Sequence, residues 1–465
     1  MRTWMRSGVG LLFSPALLLF SCAMAEQKGQ GPEVRAGRES SYSPVVMKET
    51  FGEVKEKDIA AKPGLMERHK KLLNERYDLS KNVSKDVTMS GGKPIPVGPT
   101  ARLKDGLTWE KLSAMTSDNI KEKGLFPYLP LPHPVHEVGG MVFPNMVLDK
   151  LPRLKRFDMD FDLPEWFLPE FPAPIYLTTH KDMGDVSQGQ LVTIDNYFEL
   201  FNGILNPKQL EGLRLLVTQF PQQQFNATED RKSEKPSLGV TCFDCHANGH
   251  TDAATHLVGD IRPQSHRNRL DTPSLRGVNI QRLFGSQRAL KSVEDFTEFE
   301  QRAAYFDGDP LTAMKKGLNV LERGSQVHFM AEFQELLDFP PAPRLDVFGK
   351  LDPKKASDSE LRGETIFFGK GRCDDCHPAP YYTDNSMHDL KVERFYKPQM
   401  INGQYIRAEG PIKTFPLRGI KDSPPYVHDQ RCLTLEDTVE LFNLVLDLHL
   451  NLQEKKDLTA FMRRL

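Results

Sequence analysis

Two short stretches of the chain, Cys242-Phe243-Asp244-Cys245-His246 and Cys373-Asp374-Asp375-Cys376-His377, share the spacing Cys-x-x-Cys-His. Two thiols at this spacing can each form a thioether to a haem vinyl group while the adjacent imidazole reaches the iron from one face. The two copies predict two covalently attached c-type haems, with His246 and His377 as axial ligands. The competing reading is a zinc site made of two Cys-x-x-Cys knuckles. It needs four thiolates converging on one ion, and it gives no reason for a His after each second Cys.

Groups of this kind must be held by a shell of short helices, and the sequence announces three. Asn206 is an N-cap with Pro207 in the first turn, followed by Leu210, Leu213, Leu216 and Val217 on one stripe. Ser357-Asp358-Ser359-Glu360 is a capping box before a helix that runs to Ile366-Phe367-Phe368. Asn451 and Glu454 repeat that arrangement ahead of Leu458, Phe461, Met462 and Leu465.

The chain also repeats itself. Thr272-Pro273-Ser274-Leu275-Arg276-Gly277-Val278 follows the first Cys motif and Thr414-Phe415-Pro416-Leu417-Arg418-Gly419-Ile420 the second. Gln287-Arg288 and Gln430-Arg431 come next, then Ser292-Val293-Glu294-Asp295 and Thr434-Leu435-Glu436-Asp437, at nearly matching offsets. The fold expected is mainly α, with two cytochrome c-like haem domains in tandem over residues 191–345 and 346–465. A haem propionate is the natural partner for Arg276 and Arg418 in the repeated segments.

Before residue 191 the chain has another character. Arg2 and Arg6 precede the uncharged stretch Ser7–Ala25, which contains Leu17-Leu18-Leu19-Phe20 and ends Ala23-Met24-Ala25. This reads as a secretory signal peptide over 1–25. A lipoprotein signal ending at residue 21 is the alternative, and it would leave Cys22 lipidated. Both place the protein in the periplasm, with membrane contact only through such a lipid. Residues 26–190 form an irregular extension, helical around Pro63–Tyr77 and rich in Pro and aromatic residues from Leu125 to Pro174. Proline at that density forbids long helices, while the apolar content favours packing over disorder.

A net charge of -2, from 61 basic and 63 acidic residues, excludes an electrostatic footprint for nucleic acid. Of six cysteines, four belong to the two motifs and Cys22 to the leader. Cys432 stands alone and reads as a small buried side chain.

From Asn206 to Leu465 these motifs, in this order, resemble the bacterial di-haem cytochrome c peroxidase family, which includes MauG. The resemblance rests on both Cys-x-x-Cys-His sites, the Thr-Pro-Ser-Leu-Arg segment, and Gly363-Glu364 with Phe367-Phe368-Gly369-Lys370. It rests further on Tyr382-Thr383-Asp384-Asn385 and on Pro425-Tyr426-Val427-His428-Asp429 before Thr434-Leu435-Glu436-Asp437. It implies that the first haem meets hydrogen peroxide and the second takes electrons from a small monohaem cytochrome or cupredoxin. It also implies a calcium ion held by Asp271, Thr414 and Pro416. The alternatives are a pure electron carrier and a MauG-like oxidation of a partner protein or organic molecule.

The chain departs from that family in three places. No Trp lies in Phe284-Gly285-Ser286-Gln287-Arg288, where the family places one between the haems; the three Trp are Trp4, Trp109 and Trp166. The family's sixth ligand to the second haem falls on Phe442, which cannot bind iron, so that the haem is five-coordinate or takes Met387, Met400, His388 or His428 instead. The family's distal acid has no clear counterpart here, and Glu298 and Glu300 are the candidates. Among His250, His256 and His266, His256 is the expected cap or general base, in a stretch that reads as a loop folding back over the first haem.

Overall fold

The computed structural model describes residues 51–104, 106–134, 141–155, 163–219, 221–222, 237–238, 240–258, 268–303, 319–401, 404–406 and 408–465. The expected leader, Cys22, Trp4 and His266 lie outside the described residues. Among the described residues eleven α-helices carry the fold, and the strands form short pairs and one three-stranded sheet. The mainly α expectation holds.

Helix α1 (Phe51–Arg76) starts well before the expected Pro63 and runs through it. Met66 and Leu73 lie on its buried side, and Tyr77 follows it. The chain then proceeds by turns and short helices, α2 (Trp109–Ser113), α3 (Ser117–Lys123), α4 (Asn145–Lys150) and α5 (Tyr197–Phe201). Its apolar residues are not loose: Leu112, Ile120, Phe126 and Tyr128 share one core with Leu433, Leu441, Leu444 and Phe461 from the far end of the chain. Aromatic side chains at this spacing bury much apolar surface without regular structure, which offsets the chain entropy lost on ordering the segment.

The rest is one arrangement built twice. In the first copy α6 (Pro207–Leu216), with the capping box Asn206/Gln209, is followed by α7 (Val293–Ala303) and α8 (Val320–Gln334). In the second, α9 (Asp358–Phe367), α10 (Leu435–Val445) and α11 (Leu452–Met462) carry the boxes Ser357/Glu360, Thr434/Asp437 and Asn451/Glu454. Each copy crosses its first and last helices through a glycine. A Cβ on Gly212 would lie 1.9 Å from the Phe329 carbonyl oxygen, and one on Gly363 would lie 1.9 Å from that of Asp457. Only a residue without a side chain lets the two backbones approach this closely.

Thr272 and Thr414, Arg276 and Arg418, Gly277 and Gly419, and Val293 and Leu435 are all 142 residues apart. Both glycines of that set have φ +74°. The bridge Phe284–Leu290 recurs as Tyr426–Cys432, and the left-handed residues inside it are Gly285 and Arg288 in one copy, Val427 and Gln430 in the other. This corrects the pairing read from sequence, because Arg288 corresponds to Gln430. Arg431 is instead a buried ion-pair centre that holds Asp429 and Glu409. The copies also exchange equivalent bonds: the Asp271 N–H donates to the His428 carbonyl (2.8 Å), and the Lys413 N–H to that of Ser286 (3.0 Å). The pair relates the copies by an approximate two-fold axis.

Candidate functional site

Each Cys motif forms a tight 3₁₀ turn, Cys242–Asp244 and Cys373–Asp375. The His N–H then donates to the carbonyl of the first Cys, at 3.0 Å for His246 and 2.9 Å for His377. All four thiols and both imidazoles line one continuous cavity of about 910 Å³. Among the described residues no three His, Cys, Asp or Glu side chains gather closely enough to hold a metal ion, so the four cysteines do not form a zinc site.

A backbone carbonyl orients the second imidazole. His377 Nδ1–H donates to the Tyr382 carbonyl at 2.7 Å, which leaves Nε2 as the nitrogen available to a metal. Tyr382 is itself held by its hydroxyl, which donates to the Gly349 carbonyl. The backbone of Phe415 also acts on His377, and His250 and Pro273 lie against His246 in the corresponding places. At strict hydrogen-bond geometry the His246 Nδ1 has no partner. Burial holds both rings towards the neutral form that binds metals, His246 down to about 4. The donor set fits two haem c groups.

A second repeated element, unread in the sequence, ties each motif to its Leu-Arg-Gly segment. Thr251-Asp252-Ala253-Ala254 and Thr383-Asp384-Asn385-Ser386 make the same bonds. The N–H of Asp252 donates to Cys245 (3.2 Å) and that of Asp384 to Cys376 (3.0 Å), while the Thr272 and Thr414 N–H groups donate to Ala254 (3.1 Å) and Ser386 (2.9 Å). The Thr-Asp pair shortly after each motif was the available signal. The two acids are shifted in opposite directions. Burial, with Asp244 nearby, pushes the Asp252 carboxyl well above the usual carboxylate range. Asp384 is held below it, because hydrogen bonds from His388, Ser386 and Thr414 outweigh its burial.

Of the histidines after the first motif, His250 is locked in place: Nε2 donates to the Asp422 carbonyl (3.0 Å) and Nδ1 accepts from the Ser274 hydroxyl (2.8 Å). Burial pushes it down to about 3. His256 is not in a loop. It sits in the central strand, Thr255–Val258, of the three-stranded sheet, opposite Met141 and Leu270. The four-residue alternation Thr-His-Leu-Val is compatible with a strand, and pairing on both sides decided it. His388 holds the equivalent register, opposite Ile412.

The two acidic candidates part company on α7. Val293, Phe296, Phe299 and Glu300 form one face that lines the cavity. Glu298 points elsewhere, to Arg323 at 3.2 Å beside a separate shallow pocket. At the offset of the repeat, Glu300 corresponds to Phe442 on α10, which lines the same cavity. Among the alternative second-site ligands, His388 and His428 reach the wall, whereas Met400 is 67% exposed and Met387 pairs with Lys413 at a strand. Where the bridging Trp was missed, Phe284 and its counterpart Tyr426 stand in the wall; Trp109 and Trp166 pack with the N-terminal segment's core.

Arg276 and Arg418 both line the cavity, each with protein partners. Arg276 pairs with Asp422 (3.1 Å) and donates to the Pro174 carbonyl (2.7 Å). Arg418 donates to Leu465 (2.9 Å). Asp271, Thr414 and Pro416 reach the wall as well, with bonds running to different partners. Gln430 donates to Asp271 at 2.6 Å, and the Thr383 hydroxyl to the Thr414 carbonyl at 2.7 Å. Burial raises Asp271 to about 8. Cys432 is fully buried, as its isolation suggested.

No protein-family model matches the chain. Three curated relatives do. MauG, a methylamine utilization protein of Methylorubrum extorquens, is 26% identical over 155 residues, 29% of this chain and 42% of MauG. Cytochrome c551 peroxidase of Nitrosomonas europaea is 28% identical over 143 residues, again 29% of this chain and 42% of the relative. Cytochrome-c peroxidase IdrP2 of Denitromonas iodatirespirans is 28% identical over 284 residues, 49% of this chain and 76% of the relative. The chain thus spans under half the length of the first two. Among solved structures, a hydrazine synthase of Kuenenia stuttgartiensis aligns at 18% identity and TM-score 0.37, over 59% of this chain and 93% of the other. A MauG-like protein associated with microbial copper homeostasis aligns at 17% and 0.37, over 66% and 94%. No helix among the described residues is long and apolar enough to cross a membrane.

Proposed function

We propose that this relative of the cytochrome c peroxidases and MauG is a periplasmic two-haem oxidoreductase that reduces hydrogen peroxide with electrons from a small donor protein. In this reading residues 191–345 and 346–465 each enclose one haem. Cys242 and Cys245 hold the first and Cys373 and Cys376 the second, with His246 and His377 as axial ligands. When bound, the haems supply electron storage and transfer. Peroxide takes up two electrons and two protons to give two waters, and the chain's own residues must manage the protons. In this reading Glu300 holds a proton at the peroxide oxygen, and Phe296 and Phe299 beside it keep water out.

The observation that supports this reading best is the exchange of residues at one position of the repeat. Where the second copy has Phe442, the first has Glu300, an acid that lines the cavity. A carrier that only passes electrons has no use for an acid there. The test is production in a host that matures c-type cytochromes. Two haems should survive acid-acetone extraction, and peroxide should be consumed with a reduced monohaem cytochrome as donor. His246→Gly should abolish peroxide consumption, and His377→Gly should block electron delivery alone. A protein that accepts and returns electrons while peroxide changes neither haem spectrum is an electron carrier instead.

A further inference from the structure

Lys413 is a buried cation at the junction of the two copies. Its side chain comes from the second copy and is 4% exposed, and it reaches the first, where Nζ donates to the Gln281 Oε1 at 2.9 Å. Phe284 of the first copy and Phe415 of the second each have their ring centroid 5.2 Å from the ammonium. Lys413, Gln281, Phe284 and Phe415 all line the cavity that the two Cys motifs share. An ammonium has three N–H donors, and one of these has a protein acceptor.

None of these partners carries a negative charge. An amide oxygen and two ring faces lower the cost of burying an ammonium but leave its charge uncancelled. The charge that does act on Lys413 is a second cation, Arg288, which together with burial lowers its pKa to about 8, and no carboxylate acts against them. Arg288 is in the same position, since its Nε is buried with no acceptor. Two neighbouring cations without an acid are costly to bury, and a bound anion removes that cost. Packing alone does not demand a cation here. The equivalent residue of the first copy, 142 positions earlier, is Asp271, whose N–H makes the matching bond between the copies, so one backbone position accommodates either charge.

We propose that Lys413 and Arg288 form an anion site at the junction of the two copies, and that it takes one carboxylate group, from a haem propionate or from a free carboxylate. The inference rests on the two-haem reading above. The carboxylate oxygens accept N–H groups that the protein leaves unused, as charge-assisted hydrogen bonds. The site also acts on the haems. Ferric iron carries one more positive charge than ferrous iron, so a cation beside a haem favours the ferrous state and its removal favours the ferric one.

Optical redox titration of the holoprotein, with peroxide absent, tests the site on preparations that keep two haems through acid-acetone extraction. Fewer than two haems in the wild type overturns the reading on which the site rests, whereas unchanged potentials in a two-haem protein overturn the site itself. In acetate-free buffer Lys413→Met should lower the potential of at least one haem by about 59 mV, a ten-fold change in the ferrous-to-ferric ratio. Lys413→Arg keeps the charge and should restore most of the loss. Arg288→Met, at a half-buried residue, should shift the potential in the same direction and serves where Lys413→Met does not fold. Acetate added at constant ionic strength identifies the source. Wild-type potentials indifferent to acetate make the carboxylate the haem's own; a saturable fall that Lys413→Met abolishes makes it a free carboxylate. Wild-type potentials in both methionine variants would overturn the proposal. So would an equal fall in Lys413→Arg, which would make Lys413 a packing residue.

Discussion

Thr100 gives both of its donors to Asp437, the backbone N–H to one carboxylate oxygen at 2.8 Å and the hydroxyl to the other at 2.7 Å. Ala101, Tyr128 and Thr434 donate to the same carboxylate. Asp437 is the first-turn acid of the α10 capping box, so one buried side chain both caps that helix and fastens the N-terminal segment to it.

Removing that carboxylate leaves several buried donors without an acceptor, each of which costs its desolvation. Asp437→Ala is expected to destabilise the protein by about 3 kcal/mol or more. Thr100→Ala, which removes a single hydroxyl, should cost about 1 kcal/mol. Urea unfolding midpoints for the two variants test the ordering.

The glycine crossings make a sharper contrast. Gly363→Ala drives a methyl group into the α11 backbone and is expected to cost about 3 kcal/mol or more, since the helices must separate. Gly324→Ala, on α8, meets nothing within 4 Å and should stabilise by about 0.5–1 kcal/mol. Thermal unfolding of both variants would show shifts of opposite sign.

His69 on α1 gives a pH dependence. Burial, with Arg269 and Arg76 adding repulsion, lowers its pKa from 6.5 to about 3. Between those values the folded state binds fewer protons than the unfolded one. The stability it contributes is therefore present above pH 6.5 and is lost as pH falls towards 3, by up to about 1.4 kcal/mol per unit. His69→Gln should flatten that part of the curve, as measured by urea unfolding at pH 7, 5.5 and 4.

The proposed function separates Glu300 from Glu298. Glu300→Gln should slow the reaction with peroxide by about 100-fold, the usual scale of acid–base assistance, while Glu298→Gln stays within a few-fold. Phe442→Met should raise the reduction potential of the second haem towards that of a His/Met haem. Stopped-flow absorbance and potentiometry read the two effects.

Local signals carried the sequence reading far. The caps at Asn206, Ser357 and Asn451 formed as read, because a helix cap is a contact within four residues and needs no tertiary information. What escaped depended on partners distant in the chain. Pro63 looked like a helix start, yet α1 continues through it. His256 looked like a loop residue because nothing local announces pairing with Met141 on one side and Leu270 on the other. Gly212 looked ordinary until Phe329 lay across it. Glu298 and Glu300 could not be told apart without knowing which face of α7 meets the cavity.

The bonds from Asp271 to His428 and from Lys413 to Ser286 carry a historical implication. A two-fold axis makes every contact occur twice with the roles of the partners exchanged, and that is the signature of two identical molecules pairing through the same surface. The geometry is that of a homodimer whose two subunits have been joined end to end and have since diverged, with Gly285 becoming Val427 and Glu300 becoming Phe442, or the reverse. Such a chain has its central cavity where two copies of one arrangement meet, so one copy can change a lining residue while the other keeps it.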